Sequence, residues 1–160
     1  MSTKKITINK PQYLRKSAIN INKDLFGIKR QVSMINQLYL DETFEGKCEI
    51  EKALKIKLQS YKSQDQRRQR HLSSNFITME ELKEKLVVSK LKCHYCFQQL
   101  LLIYNNVREG SQWTLDRIDN DLEHTAINTV IACLKCNIQR GRICKKKFLF
   151  TKQLRLIKKY

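Results

Sequence analysis

The chain has 160 residues and a mass of 19.1 kDa, a length that favours one compact domain with extensions over a multidomain enzyme. Its 32 Lys and Arg against 15 Asp and Glu give a formal charge of +17, which favours nucleic acid as the partner over a surface kept basic only for solubility. No apolar run approaches the ~20 residues of a membrane span, and residues 1–10 lack the apolar core of a signal peptide. We therefore expect an intracellular protein that does not bind membranes.

Residues 1–23 predict a basic arm that becomes ordered on binding, because Lys, Asn, Ser and Thr alternate there without a sustained period. Residues 24–72 predict a basic helical extension of two helices, separated by a break at 41–46. The apolar faces of these helices comprise Leu25, Ile28, Val32, Ile35 and Tyr39 in the first, and Ile50, Ala53, Leu54, Leu58 and Tyr61 in the second.

The second helix continues into a segment rich in arginine and glutamine, residues 63–71, which loses the apolar stripe. Both a solvated helix end and a stripe that contacts phosphates agree with this composition. Basic residues here and near the end of the chain are the predicted nucleic-acid contacts. They are Lys62, Arg67, Arg68, Arg70, Arg140, Arg142, Lys145 and Lys146.

Residues 73–144 predict a small α+β unit. A capping box at Thr78 and Glu81 opens a helix that leads into a first Cys-x-x-Cys pair. The apolar segment 97–104 predicts a strand that leaves this pair. A strand at 113–118, a loop at 119–127, a strand at 129–132 and a helix from the second Cys-x-x-Cys pair then make a ββα arrangement. Residues 145–160 predict an amphipathic segment, either a helix packed on the domain or an arm on a partner.

The two cysteine pairs are Cys93 with Cys96 and Cys133 with Cys136, separated by 36 residues. Each pair can form a tight turn that directs two thiolates at one point, so the four predict a tetrahedral structural Zn²⁺ site in a reducing compartment. A redox role for either pair is the weaker interpretation, since neither has a recognisable redox context. Cys48 and Cys144 remain outside this set.

The string LDRIDND, followed by His124, Asn128 and a Cys-x-x-Cys-Asn ending at Asn137, resembles the HNH endonucleases that carry a four-cysteine zinc. The resemblance extends over about residues 74–142. This segment is similar to HNH proteins of large DNA viruses and phages. It implies a zinc-stapled ββα-metal fold and metal-dependent hydrolysis of phosphodiester bonds in nucleic acid. DNA is the favoured substrate and RNA the other.

The resemblance also implies residue roles. Asp116 and Asn137 would hold a catalytic divalent ion, Mg²⁺ or Mn²⁺, because hard oxygen ligands suit these cations. Asn128 would brace the loop between the strands. The position of the usual histidine base holds Arg117, which stays protonated and can only clamp phosphate or stabilise the transition state. His124 is then either a displaced base or a residue that positions the loop.

The substitution at Arg117 keeps a second hypothesis open. In it the chain is a catalytically inactive HNH scaffold that binds nucleic acid within a larger ribonucleoprotein or virion. Cleavage assays with Asp116 and Asn137 variants distinguish the two hypotheses.

Overall fold

The computed structural model describes residues 23–70 and 75–154. The predicted basic arm therefore lies almost wholly outside the described residues, as do residues 71–74 and 155–160. A short 3₁₀ turn at Lys23–Phe26 precedes the regular elements, which are α1 (Ile28–Tyr39), α2 (Lys47–Arg67), α3 (Met79–Val88), β1 (Trp113–Arg117), β2 (Thr129–Cys133), α4 (Leu134–Arg140) and α5 (Lys145–Gln153).

The predicted α+β class is confirmed in these residues, which form five α-helices and one two-stranded antiparallel sheet. None of the helices in 23–70 and 75–154 combines the length and apolar character needed to cross a bilayer.

Helix α2 is longer than its apolar stripe. Its buried residues are Ile50, Leu54, Leu58, Tyr61 and Asp65. The last of these continues the same face by one further turn, because steps of three and four residues return to one side of a helix. A carboxylate thus occupies a position that the helical period assigns to the interior.

The capping box that opens α3 is present as predicted. The Thr78 side chain accepts a hydrogen bond from the Glu81 amide, and the Glu81 carboxylate accepts one from the Thr78 amide. Leu82 and Leu86 of this helix are fully buried, which orients the chain toward the first cysteine pair.

The predicted strand at 97–104 does not form. This segment makes only isolated bridges, Lys92 with Gln99 and Leu101 with Gln112. The amides of Leu102 and Ile103 donate instead to the side-chain oxygen of Gln31 on α1, at 2.7 and 3.1 Å. A buried side chain from a distant helix satisfies the backbone groups that a neighbouring strand would otherwise pair.

The strand, loop, strand and helix order predicted for residues 113–140 is present. In the β1–β2 register, Asp116 lies opposite Val130 and Arg117 opposite Thr129. Helix α4 follows β2 directly and ends at Arg140; the next residue, Gly141, has a φ of +50°, which favours glycine. Asp116 and Arg117, at the end of β1, and Asn137, on α4, consequently line the same part of the protein surface.

One hydrophobic core includes buried residues from α1, α2, α3, the cysteine turns and the sheet. Between α2 and β1, the Tyr61 hydroxyl accepts a hydrogen bond from the Leu115 amide at 3.1 Å. The Lys57 ammonium donates to the Trp113 carbonyl and lies 4.1 Å from the centroid of the Trp113 ring. The helical extension therefore forms one wall of the region that β1 and α4 line.

Candidate metal centre and candidate active-site cleft

The four predicted zinc ligands come together. The sulfur atoms of Cys93, Cys96, Cys133 and Cys136 all lie within 4.8 Å of one another. A tetrahedral zinc with bonds of ~2.3 Å separates its sulfurs by roughly 3.8 Å, and the Cys96 and Cys133 sulfurs are 4.0 Å apart. The cluster can therefore hold one metal ion, whereas Cys48 and Cys144 are exposed and lie outside it.

Backbone amides help to direct these thiolates. The Cys133 amide donates to the Cys93 sulfur at 3.3 Å, and the Cys136 amide donates to the Cys133 sulfur at 3.2 Å. A hydrogen bond from the Cys133 thiol lowers the pKa of Cys93 and raises that of Cys133, while burial raises the pKa of Cys136. Four close thiolates repel one another, so their joint ionisation requires a bound cation.

A cleft of about 960 Å³ separates the end of α2 from the β1–loop–α4 region. Asp116, Arg117, His124 and Asn137 all line it, so four of the five predicted catalytic residues share one cavity. Its other lining residues include the arginines Arg67, Arg68, Arg70 and Arg142. The concentration of guanidinium groups around a concave site gives it a positive potential that suits a phosphate.

Asp116 is engaged on both carboxylate oxygens. Arg140 donates from Nε to Oδ2 at 2.6 Å and from Nη2 to Oδ1 at 2.8 Å, and the Tyr95 hydroxyl donates to Oδ2 at 2.5 Å. Asp116 is only 3% exposed and Arg140 only 2%. Arg140 also donates to the backbone oxygens of Arg117 and Ile143 and to the Asn120 side chain. The pair is a fully hydrogen-bonded ionic network inside the fold.

This network opposes the divalent site predicted at Asp116 and Asn137. The Asn137 amide donates to the Thr114 hydroxyl at 3.1 Å and to the Leu115 carbonyl at 3.4 Å, an orientation that leaves its oxygen available as a ligand. The guanidinium of Arg140, however, already holds the positive charge beside Asp116. In this arrangement the donor set does not fit a catalytic divalent ion unless Arg140 withdraws.

His124 is held by a carboxylate that sequence patterns did not single out. Asp65, at the end of α2, is fully buried and its Oδ2 lies 2.7 Å from His124 Nδ1 and 2.8 Å from the His124 amide nitrogen. A carboxylate only accepts hydrogen bonds, so the neutral imidazole carries its proton on Nδ1 and presents Nε2 as an acceptor. The aromatic ring of Tyr61 lies beside the imidazole, with centroids 4.8 Å apart.

Burial lowers the pKa of His124, and the neighbouring charges of Arg117 and Arg70 lower it further, while the hydrogen bond to Asp65 raises it. The net direction is downward. The imidazole is thus neutral at physiological pH, which is the protonation state that a general base requires.

Arg117 shares the carboxylate of Asp65 with Arg70. The two guanidinium groups lie 3.2 and 3.4 Å from Asp65 Oδ1, and Arg117 also donates to the Leu122 carbonyl at 3.2 Å. Burial lowers the pKa of Arg117, whose group remains an obligate donor in the cleft. Asp65 therefore connects the histidine to two phosphate-binding candidates.

Asn128 fixes the loop between the strands. Its Oδ1 accepts from the Asp119 amide at 2.9 Å, and its Nδ2 donates to the carbonyls of Asp119 and Glu123 at 3.0 and 2.9 Å. Asp119 accepts from the Asp121 amide at 2.9 Å, the contact of an Asx turn. These contacts position the segment that carries His124, although Asn128 itself does not reach the cleft.

The predicted nucleic-acid contacts divide into groups. Arg67, Arg68 and Arg142 are exposed and line the cleft, and Arg70 lines it while donating to the Asn120 carbonyl at 2.9 Å. Lys62 and Lys146 are exposed and Lys145 is half-buried, and none of the three lines the cleft. Arg140 instead lies inside the fold, where its guanidinium binds Asp116 rather than an external phosphate.

Two residues of the site lay outside the sequence predictions. Asp65 could have been found by extending the α2 stripe, since Leu54, Leu58, Tyr61 and position 65 keep one helical face. Tyr95, which lies between Cys93 and Cys96 of the cysteine cluster and contacts Asp116, has no comparable periodic pattern.

Comparison of the chain with protein-family models, with curated proteins and with solved structures finds no match.

Proposed function

We propose that this protein is an endonuclease of the HNH type, which binds nucleic acid in the arginine-lined cleft and hydrolyses a phosphodiester bond with His124 as general base. The observation that carries the proposal is the convergence of His124, Arg117, Asp116 and Asn137 on one positively charged cleft. The ββα order of β1, β2 and α4 and the four-cysteine cluster support the same family assignment, with zinc in a structural role.

The chemistry follows from the protonation states. A neutral His124 accepts a proton from water at Nε2 as the water oxygen bonds to phosphorus. The bond from phosphorus to the leaving oxygen breaks, and that oxygen takes a proton from solvent. Arg117 and the exposed arginines would neutralise the charge that gathers on the phosphoryl oxygens. DNA is the favoured substrate because of the family resemblance.

Binding should depend on the cleft arginines. Replacing both Arg67 and Arg68 by Gln should flatten the dependence of log Kobs on log salt by about 1.8 on duplex DNA, since each neutralised phosphate contributes about 0.9. Replacing Arg30 and Arg108, which are exposed and lie outside the cleft-lining set, removes equal charge and should leave the slope nearly unchanged. Fluorescence anisotropy across a salt series measures both, and equal slopes for the two double variants would place binding elsewhere.

Cleavage provides the decisive test. Labelled single- and double-stranded DNA and RNA are incubated with the zinc-loaded protein, in Mg²⁺, in Mn²⁺ and after removal of added divalent ions. The variant His124→Gln should lose on the order of 10²-fold or more in rate while retaining binding. Gln64→Ala, which also changes the cleft lining, serves as the control. Unimpaired cleavage by His124→Gln removes His124 from the mechanism.

The second candidate function is a non-catalytic nucleic-acid-binding component of a larger nucleoprotein assembly. The specific observation in its favour is the buried pair of Asp116 and Arg140, which places an arginine where the family holds a metal ion. Tight binding without cleavage of any of the four substrates, under all three ionic conditions, would support non-catalytic binding in place of the nuclease function.

A further inference from the structure

We propose that Asp65 is the positioning residue of His124, and that phosphate binding at Arg70 and Arg117 strengthens His124 as a base. This inference deepens the proposed function and rests on it. It arises from an arrangement in which one buried carboxylate on α2 joins the imidazole to two arginines of the cleft.

The positioning role follows from the contacts by which Asp65 sets the orientation and the tautomer of the His124 imidazole. The carboxylate accepts from both the backbone amide and Nδ1 of His124, at 2.8 and 2.7 Å. These two hydrogen bonds, accepted by one carboxylate, fix both the backbone of His124 and the plane of its ring. They also select the tautomer in which Nε2 carries no proton and can accept one. The remaining oxygen, Oδ1, faces Arg70 and Arg117.

The coupling follows from the competition for Asp65. While Arg70 and Arg117 lie beside Oδ1, they neutralise part of the carboxylate charge and also repel an imidazolium directly. A phosphate that enters the cleft offers these guanidinium groups stronger bidentate partners. Both effects then diminish, and the negative charge of Asp65 acts more fully on His124. The histidine therefore gains basicity at the moment when a substrate phosphate is present.

Other groups around His124 do not provide this response. Tyr61 packs against the ring, but its hydroxyl is committed as acceptor to the Leu115 amide. Burial raises the pKa of this phenol, so it stays neutral. Arg70, which follows α2, and Arg117, on β1, differ from Tyr61 because both contact the Asp65 carboxylate and also line the cleft.

Nuclear magnetic resonance of the imidazole nitrogens in the zinc-loaded full chain tests the inference directly. We expect the Nδ1-protonated tautomer in the neutral form. Addition of a short DNA oligonucleotide, with no divalent ion beyond the structural zinc, should shift the titration midpoint of His124 upward. Inorganic phosphate should shift it in the same direction. A midpoint that is unchanged or lower with both probes would overturn the coupling.

Two variants separate the parts of the proposal. Arg117→Gln should raise the midpoint of the free protein and reduce the further rise on adding oligonucleotide, because one competitor for Asp65 is already gone. Asp65→Leu, which removes the acceptor at similar size, should abolish the tautomer preference and lower the cleavage rate on the order of 10²-fold, while Asp65→Glu should restore part of both. A retained Nδ1-protonated tautomer in Asp65→Leu would refute the positioning role.

The Arg117 variant keeps the test decisive even where Asp65→Leu fails to fold, since it leaves the buried carboxylate and its histidine contacts in place. The outcomes also separate this inference from the proposed function. A midpoint that responds in a protein without cleavage supports the coupling and defeats the nuclease assignment. Cleavage with an unresponsive midpoint does the reverse.

Discussion

Two regions of the molecule bury acidic groups, and they differ in the source of the balancing positive charge. In the cysteine cluster, four sulfurs lie within 4.8 Å of one another, and amide hydrogen bonds are the only compensation among the contacts described above. In the cleft, Asp116 has Arg140, and Asp65 has Arg70 and Arg117. Joint ionisation of the four cysteines would need a cation from solution, whereas the cleft already contains its cations.

The two predicted metal sites, at the cysteines and at Asp116 with Asn137, therefore differ in whether the fold already supplies positive charge to the ligands. Both were inferred from ligand types at suitable spacing; the four cysteine sulfurs lie close together, and Asp116 and Asn137 line one cleft. Among the contacts of the described residues given above, an arginine is bonded to Asp116, whereas only backbone amides and neighbouring thiols are bonded to the cysteine sulfurs. A ligand set therefore indicates a metal site more strongly when no arginine or lysine shares its oxygens or sulfurs.

The largest effect should come from breaking the cysteine cluster. Cys93→Ser should release the bound metal and unfold the cysteine turns, because binding of a structural zinc supplies on the order of 10 kcal/mol of folding free energy. Elemental analysis and thermal unfolding measure the two losses. Cys144→Ser, at an exposed cysteine outside the cluster, is the matched control. A Cys93→Ser protein that stays folded without metal would show that the cluster does not stabilise the fold.

Breaking the charge pair of the cleft should have the next largest effect. Arg140→Gln leaves Asp116 buried without its guanidinium, which should lower the free energy of unfolding by about 3–5 kcal/mol. Combining it with Asp116→Asn should recover part of that loss, and the double-mutant cycle measures the coupling. Arg142→Gln changes an exposed pair of 3.5 Å with Asp121 and should cost under about 0.5 kcal/mol.

The Arg140→Gln variant also tests the contrast between the cysteine cluster and the cleft. With Arg140 replaced by Gln, Asp116 and Asn137 can offer oxygens to a divalent ion, so Mn²⁺ binding measured by calorimetry should become tighter than in the unmodified protein. The zinc content should not change. If the unmodified protein binds Mn²⁺ tightly and Asp116→Asn abolishes that binding, Arg140 withdraws readily and the predicted catalytic ion site stands.

Much of this framework was accessible from the sequence because its determinants are local. The capping box at Thr78 and Glu81, the apolar stripe of α2 and the Cys-x-x-Cys spacing within each cysteine pair involve residues that follow one another at steps of a few positions. Helical period and backbone hydrogen-bonding rules then determine the element. The same locality explains why the segment 119–127, with its Asx turn, was correctly predicted as a loop between strands.

The parts that escaped prediction depend on contacts between distant residues. Asp65 and His124 are 59 positions apart, and Gln31 replaces a strand partner for amides 71 and 72 positions away. Arg140 appeared as one more basic residue near a helix end. Only the packing of α4 on β1 brings Arg140 to Asp116. An exposed Arg140 would leave the Asp116 carboxylate buried and unpaired, so the bidentate ion pair is the more favourable arrangement.

The smallest expected effect concerns the pH dependence of the cleft. The pKa of His124 is lowered in the folded protein from its ordinary value of 6.5, chiefly by burial. Between the lowered pKa and 6.5, the unfolded chain binds more protons than the folded one. The free energy of unfolding should therefore fall as the pH is lowered through this window, by at most about 1.4 kcal/mol per pH unit for this group.

The variant His124→Gln should show a flatter stability curve below pH 6.5 than the unmodified protein. His94, whose pKa is also lowered, first by burial, contributes with the same sign in both proteins, so the difference between the two curves isolates His124. Denaturant unfolding at a series of pH values measures that difference. Parallel curves would mean that the hydrogen bond that His124 donates to Asp65 offsets the cost of burying the imidazolium, and that the cleft can hold a charged histidine as readily as a neutral one.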